Sequence, residues 1–288
     1  MDEFKKKLRQ STGMRVFIFL AAFVGCALLG SCVALVFAIG NNITLLKIGQ
    51  GISSALMFIV PPVILYAFTR NEPMQELGFR RPVGWWMLLV GVILMFVSLP
   101  LTNALGQWNE KMNFGEAFGA LEALLKQAEE VAADFTQRMM AVDTVWGLLG
   151  NLLVIALIPA IGEELTFRAV VQQALTKRMN VHLGVFLSAF IFSFIHFQFY
   201  GFLPRMFLGL LLGYMFYYSG SLWTSILMHF VNNGSAVVVA YLEHKGLTGA
   251  DWEHFGATTS VSVLMVSLVL TVGLIVVVAK KQNRYGRE

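Results

Sequence analysis

An all-α membrane protein, a polytopic transmembrane helical bundle of about eight spanning helices, is the architecture this sequence predicts, and three observations predict it. Of the 288 residues 57% are hydrophobic and only 13% charged, against roughly 25% charged in a soluble globular domain. Mean hydropathy is +0.69. The apolar residues gather into runs near the roughly 17–25 residues that cross a bilayer as helix, spread from Met14 to Ala279. A single integral-membrane domain over 1–288 explains that spread better than soluble domains do.

The spans are expected at 15–39, 48–68, 84–105, 144–175, 183–200, 204–218, 222–242 and 259–279. The first follows "MDEFKKKLRQSTGMR"; its apolar part, Val16 to Ile39, exceeds the roughly 7–15 residues of a signal peptide and reads as a retained signal-anchor. Within it Cys26 and Cys32 lie about 9 Å apart along the axis, too far for a disulfide. Trp85 and Trp86 open the third span as an interfacial anchor. The segment 107–143 carries Phe114, Phe118, Leu121, Leu125, Ala128, Ala132, Phe135 and Met139 at three- and four-residue steps, an amphipathic helix with Glu122, Glu129 and Glu130 on its other face. An outer-surface helix is the simpler reading of it, a gating lid the other. The fourth span is over-long and is expected either to kink at Pro159 or to continue past the bilayer, and the sixth is short.

Basic residues set the orientation. With the N-terminus cytoplasmic, fourteen Lys and Arg fall in inside segments and six in outside ones, with Arg168 left within the fourth span. Both termini are then cytoplasmic, the membrane is expected to be the bacterial inner (cytoplasmic) one, and the active site is expected to open towards its cytoplasmic half. The net charge of +4 and pI near 9.1 follow from this bias, and no basic stripe points to nucleic acid.

Ionisable groups inside a bilayer cost roughly 2.5–3.5 kcal/mol each and by default mark functional sites. Here they are Glu163, Glu164, Arg168, His196 and His229 with the amides Asn232 and Asn233, and Asn103 and Asn151 as lesser members. Glu164 and Arg168 stand four apart on one helix face and can pair. Glu163 points about 100° away and is free to face a cavity. His229 and Asn233 also share a face; Asn232 competes with Asn233, which the four-residue step favours. Phe192 lies one turn before His196. Three helices can thus bring a carboxylate, two imidazoles and an amide to one dry pocket in the core 144–242, a set suited to hydrolysis. Arg168 favours charge on Glu164, which leaves Glu163 as the group suited to exchange a proton.

At these residues the chain resembles a known family. "EELTFR", "FSFIH" and "HFVNN" are similar to the EExxxR, FxxxH and HxxxN motifs of the CAAX-protease and bacteriocin-processing (CPBP, or Abi) family of intramembrane proteases, which includes the Ras-converting CAAX prenyl endopeptidase. The resemblance covers about Val145 to Leu242, and Ala169 departs from the glycine that many members carry there. It implies an endopeptidase acting on a membrane-associated peptide or protein. Glu163 and His196 would activate a water, His229 and Asn233 would hold the oxyanion, and Glu164 with Arg168 would support them. In bacteria it points to peptide maturation, bacteriocin self-protection or signalling-peptide processing. No cofactor is expected; in a zinc-dependent version Glu163, His196 and His229 would be the ligands. A non-catalytic scaffold, or a transporter using the same buried charges, is the rival reading, although the inverted repeats of a transporter are not apparent.

Overall fold

The computed structural model describes residues 12–40, 42–69, 73–80, 82–113 and 115–285, and among them there is helix but no strand. Lys5, Lys6, Lys7, Arg9, Arg70, Arg81, Phe114 and Arg287, which enter the charge and periodicity arguments above, lie outside the described residues.

Seven of the described helices are long and apolar enough to cross a membrane: α1 (Thr12–Ala38), α2 (Ile43–Thr69), α3 (Trp85–Glu110), α5 (Val145–Thr176), α7 (Phe202–Ser219 with the turn Phe199–Gly201 before it), α8 (Leu222–His244) and α9 (Val261–Tyr285). An eighth apolar helix, α6 (Val181–Phe194), has 14 residues. The amphipathic helix α4 (Gly119–Met140) precedes α5. The molecule is thus an integral membrane protein of the expected class.

Several elements differ in detail from expectation. α2 begins five residues early, because Asn42 caps it by accepting from the N–H groups of Thr44 and Leu45. It breaks at Ile59, where Pro61 and Pro62 cannot supply backbone donors. α5 runs through Pro159 not by a simple kink but with two π-helical stretches, Leu152–Leu157 and Leu165–Gln172, on either side of Ile158–Glu164. Widened turns leave carbonyls for outside donors. Tyr66 Oη donates to Ala169 O at 2.6 Å, and Ser188 Oγ to Phe167 O at 3.0 Å. Pro159 has no N–H to offer Ile155 O, which receives the amide of Asn233 at 3.4 Å.

α5 lies at the centre, against α2, α6 and α8, while α3, α7, α8 and α9 close the other side and α1 lies along α2. The helix ends sort onto two faces. On one, Thr12, Arg15, Thr69, Lys177 and Arg178 border a common cavity, Gln173 donates to Glu76 O, and Lys281 stands over the Trp86 ring. On the other, Asn109 meets Phe199, Gln137 meets Glu253 and Asn103 meets Phe255. The start of α1 and the end of α9 share the first face, as eight crossings require.

α4 is turned differently from what its periodicity suggests. Phe118, just before it, and Leu121 and Ala128 of the expected apolar face are exposed, whereas Glu122 and Glu129 of the expected polar face are half-buried beside Leu125, Ala132 and Phe135. Glu129 faces the bundle because its carboxylate accepts from Tyr200 N at 3.3 Å, and burial pushes that carboxyl above the usual range.

Candidate active site

α5 carries the centre of the site at the junction of its α-helical turn and second π stretch. Glu164 is fully buried, and Arg168, one turn on, is 1% exposed. Arg168 Nε lies 3.0 Å from Glu164 Oε2, close enough for charge pairing although not aligned as a hydrogen bond. The guanidinium is also held by Gly209 O at 3.3 Å and lies 4.7 Å from the Phe192 ring centroid. A Cβ at Gly209 would meet Ala189 at 3.0 Å, so the glycine lets α7 pack closely on α6 beside this carbonyl. The expected ion pair is therefore present.

Glu164 has a second partner that spacing along one helix could not reveal. His229 of α8 places Nδ1 2.9 Å from Glu164 Oε1. A carboxylate accepts, so Nδ1–H donates and Nε2 is turned the other way, 3.7 Å from Glu163 Oε2. Glu163 is the divergent carboxylate expected from the helical wheel.

His196 arrives by a different route from the one expected. α6 ends at Phe194, and His196 lies in the following turn rather than inside a helix reaching Tyr200. Its Nδ1 donates to Phe192 O at 2.8 Å, occupying a carbonyl at the helix end. Nε2 then points to Glu163 Oε2 at 4.0 Å. Phe197, next in the chain, has φ +54°, the left-handed region that costs a bulky residue about 1–3 kcal/mol. Phe192 packs edge-on to both imidazoles, with centroid separations of 5.2 and 6.0 Å.

The structure therefore brings Glu163, Glu164, Arg168, His196 and His229 together. Asn233 follows His229 by one turn of α8, but its hydrogen bonds run to Ile155 O and, through Oδ1, to Asn232. Asn103 donates to Leu99 O and Phe255 O, and Asn151 to Met139 O, so these two serve helix packing. Arg205 and Gln198, which border the His196 turn, were not singled out from sequence: Arg205 lies beyond the motif, and its partner is a loop carbonyl.

One oxygen of Glu163 thus lies near both imidazole Nε2 atoms, 3.7 Å from that of His229 and 4.0 Å from that of His196. The donor types suit zinc, and both Nδ1 atoms are engaged by acceptors of the kind that back metal-bound histidines. The spacing does not: Glu163, His196 and His229 do not bring one ligand atom each within 4.8 Å of one another, against about 3.4 Å between tetrahedral zinc ligands. Among the described residues only Asp251, Glu253 and His254 stand that close, exposed between α8 and α9 and tied by their own hydrogen bonds.

On the face that carries the start of α1, an apolar cavity of about 660 Å³ runs between α1, α2, α5 and α6, with Arg15, Lys177 and Arg178 on its lining. Phe167, stacked edge-on to Phe192 at 5.1 Å, stands between that cavity and the histidines.

The membrane-spanning bundle holds a buried carboxylate and imidazole cluster at its centre, formed by the residues of the three motifs. Residues 145–235, about a third of the chain and the part that carries those motifs, match the family model described as Type II CAAX prenyl endopeptidase Rce1-like. Neither a curated protein nor a solved structure matches the chain.

Proposed function

We propose that the protein is an intramembrane endopeptidase of the CAAX-protease type that hydrolyses a peptide bond of a membrane-associated peptide or protein. The observation that carries this reading is the convergence of His196 Nε2 and His229 Nε2 on Glu163 Oε2, at 4.0 and 3.7 Å. Those distances are too long for direct hydrogen bonds and of the size that a bridging water fills.

Glu163 takes a proton from that water, oriented by His196, and the hydroxide adds to the scissile carbonyl carbon. Holding the oxyanion through Nε2 requires His229 to carry a proton there as well as on Nδ1, whose N–H Glu164 accepts. Glu164, paired with Arg168, supplies the opposing charge. The Asn233 amide adds a second donor, and its long 3.4 Å bond to Ile155 O is easily exchanged. Glu163 returns the proton to the leaving nitrogen as the carbon–nitrogen bond breaks. The cavity beside Phe167 suits an aliphatic chain on the substrate.

This reading needs no resident metal. In a zinc-dependent version Glu163, His196 and His229 would be the ligands, and they would have to draw closer together to hold the ion.

The test uses full-length protein in liposomes and quenched fluorescent peptides ending in a CAAX sequence, with and without a prenyl group. Glu163→Ala, His196→Ala and His229→Ala should each lower cleavage by about 10²–10⁴-fold without unfolding the protein. Wild-type rates in all three would end the assignment. Activity should survive exhaustive chelation; loss that zinc restores would instead make the three residues ligands.

A further inference from the structure

The turn between α6 and α7 leaves residues 195–198 outside any helix, after a helix of only 14 residues. Backbone N–H and C=O groups freed there need partners wherever they are buried.

The partners come from three other elements. Arg205, in the first turn of α7, reaches back: one terminal nitrogen donates to Gln198 Oε1 at 3.1 Å and the other to Gln198 O at 2.7 Å. Glu129 of α4 accepts from Tyr200 N. Asn109 of α3 donates to Phe199 O at 2.9 Å and accepts from Leu203 N at 2.7 Å. Gly201 makes room for the guanidinium, whose terminal nitrogens would lie 3.0 and 3.1 Å from a Cβ placed there.

The left-handed Phe197 separates His196 from Gln198. Such a conformation persists only where its surroundings impose it, and the grip on the next residue does so. The fork matters, because two parallel donors engage the side chain and main chain of one residue, which an ammonium does not reproduce. The charge of Arg205 also acts on both Glu129 and Glu163.

We propose that Arg205 is a positioning residue for His196: it clamps the strained turn so that the imidazole keeps its place 4.0 Å from Glu163, while Glu129 ties the same turn to the amphipathic helix. This rests on the reading of His196 as part of the reaction.

The experiment pairs kinetics with histidine-selective NMR of the full chain, ring-labelled at its 5 histidines and reconstituted in nanodiscs, with His196 assigned by His196→Ala. Arg205→Gln should lower kcat by about 100-fold, the cost of misplacing a reacting group by an ångström, with KM unchanged. It should also shift the His196 resonance and leave that of His229 in place. Arg205→Lys should not restore the rate, whereas millimolar guanidinium added to Arg205→Ala should do so in part. Gly201→Ala, which displaces the fork without removing it, should move both readouts the same way by less, and serves should Arg205→Gln not fold. A wild-type kcat, or a lowered kcat with an unmoved His196 resonance, overturns the proposal. If wild type and His196→Ala cleave alike, it is the catalytic reading that fails, and the His196 resonance alone then decides the clamp.

Discussion

Glu164 is enclosed by two partners of different kinds, a guanidinium and an imidazole. Arg168 sits 3.0 Å from one oxygen and His229 2.9 Å from the other, and no part of the carboxylate reaches solvent. Neutralising it strands a buried guanidinium, whose cost outweighs whatever the pair contributed when intact. Glu164→Gln should therefore lower stability by about 3–5 kcal/mol, read as a fall in the melting temperature of the detergent-solubilised protein. Glu163→Gln, by contrast, should melt near wild type, since Glu163 has no contact of comparable closeness. An equal melting temperature for both variants would contradict the division of roles between the adjacent glutamates. That division was legible in the sequence, because four residues separate Glu164 from Arg168 on one helix. The bond from His229 to Glu164 was not, because 65 residues intervene and no local pattern encodes which carboxylate an imidazole from another helix will meet.

Among the elements, the long helices were read to within a few residues, since each is an uninterrupted apolar run. Their interruptions were not. The π stretches of α5 depend on donors such as Tyr66 and Ser188 from other helices, and the early end of α6 depends on Arg205 and Asn109 receiving the turn. The segment between α8 and α9 supports a pH prediction. Asp251 and His254 are hydrogen-bonded, which holds the Asp251 carboxyl below its usual range and the His254 ring above its own. The Asp251 contribution is present above the ordinary carboxyl pKa of about 3.9 and fades as pH falls through the lowered value. The His254 contribution is present below about 6.5 and fades as pH rises through the raised one. Hydrogen exchange across 251–257 should be slowest between those limits, and Asp251→Asn should flatten its pH dependence. An unchanged profile in that variant would show that the pair does not close the turn.

For the whole molecule, alternation of eight crossings puts the start of α1, the loop after α5 and the end of α9 on one face, and α4 with the His196 turn on the other. Counted along the sequence, basic residues favour the first face, and on that count we propose it as the cytoplasmic one. In a variant lacking Cys26 and Cys32, a cysteine at Arg178 should therefore react with membrane-impermeant maleimide only in inverted vesicles, and one at Asp134 only in intact cells. The opposite pattern would reverse the orientation. The helix count could be argued from hydropathy. That α6 ends after 14 residues could not, since the turn that follows it is held by Arg205 and Asn109 from other helices.

The length of α6 bears on the reaction proposed above. Hydrolysis has two reactants, and the second is scarce in hydrocarbon. At 14 residues α6 is the shortest of the apolar spans described, so on that reading it marks the side of the bundle where water would have the shortest way to Glu163.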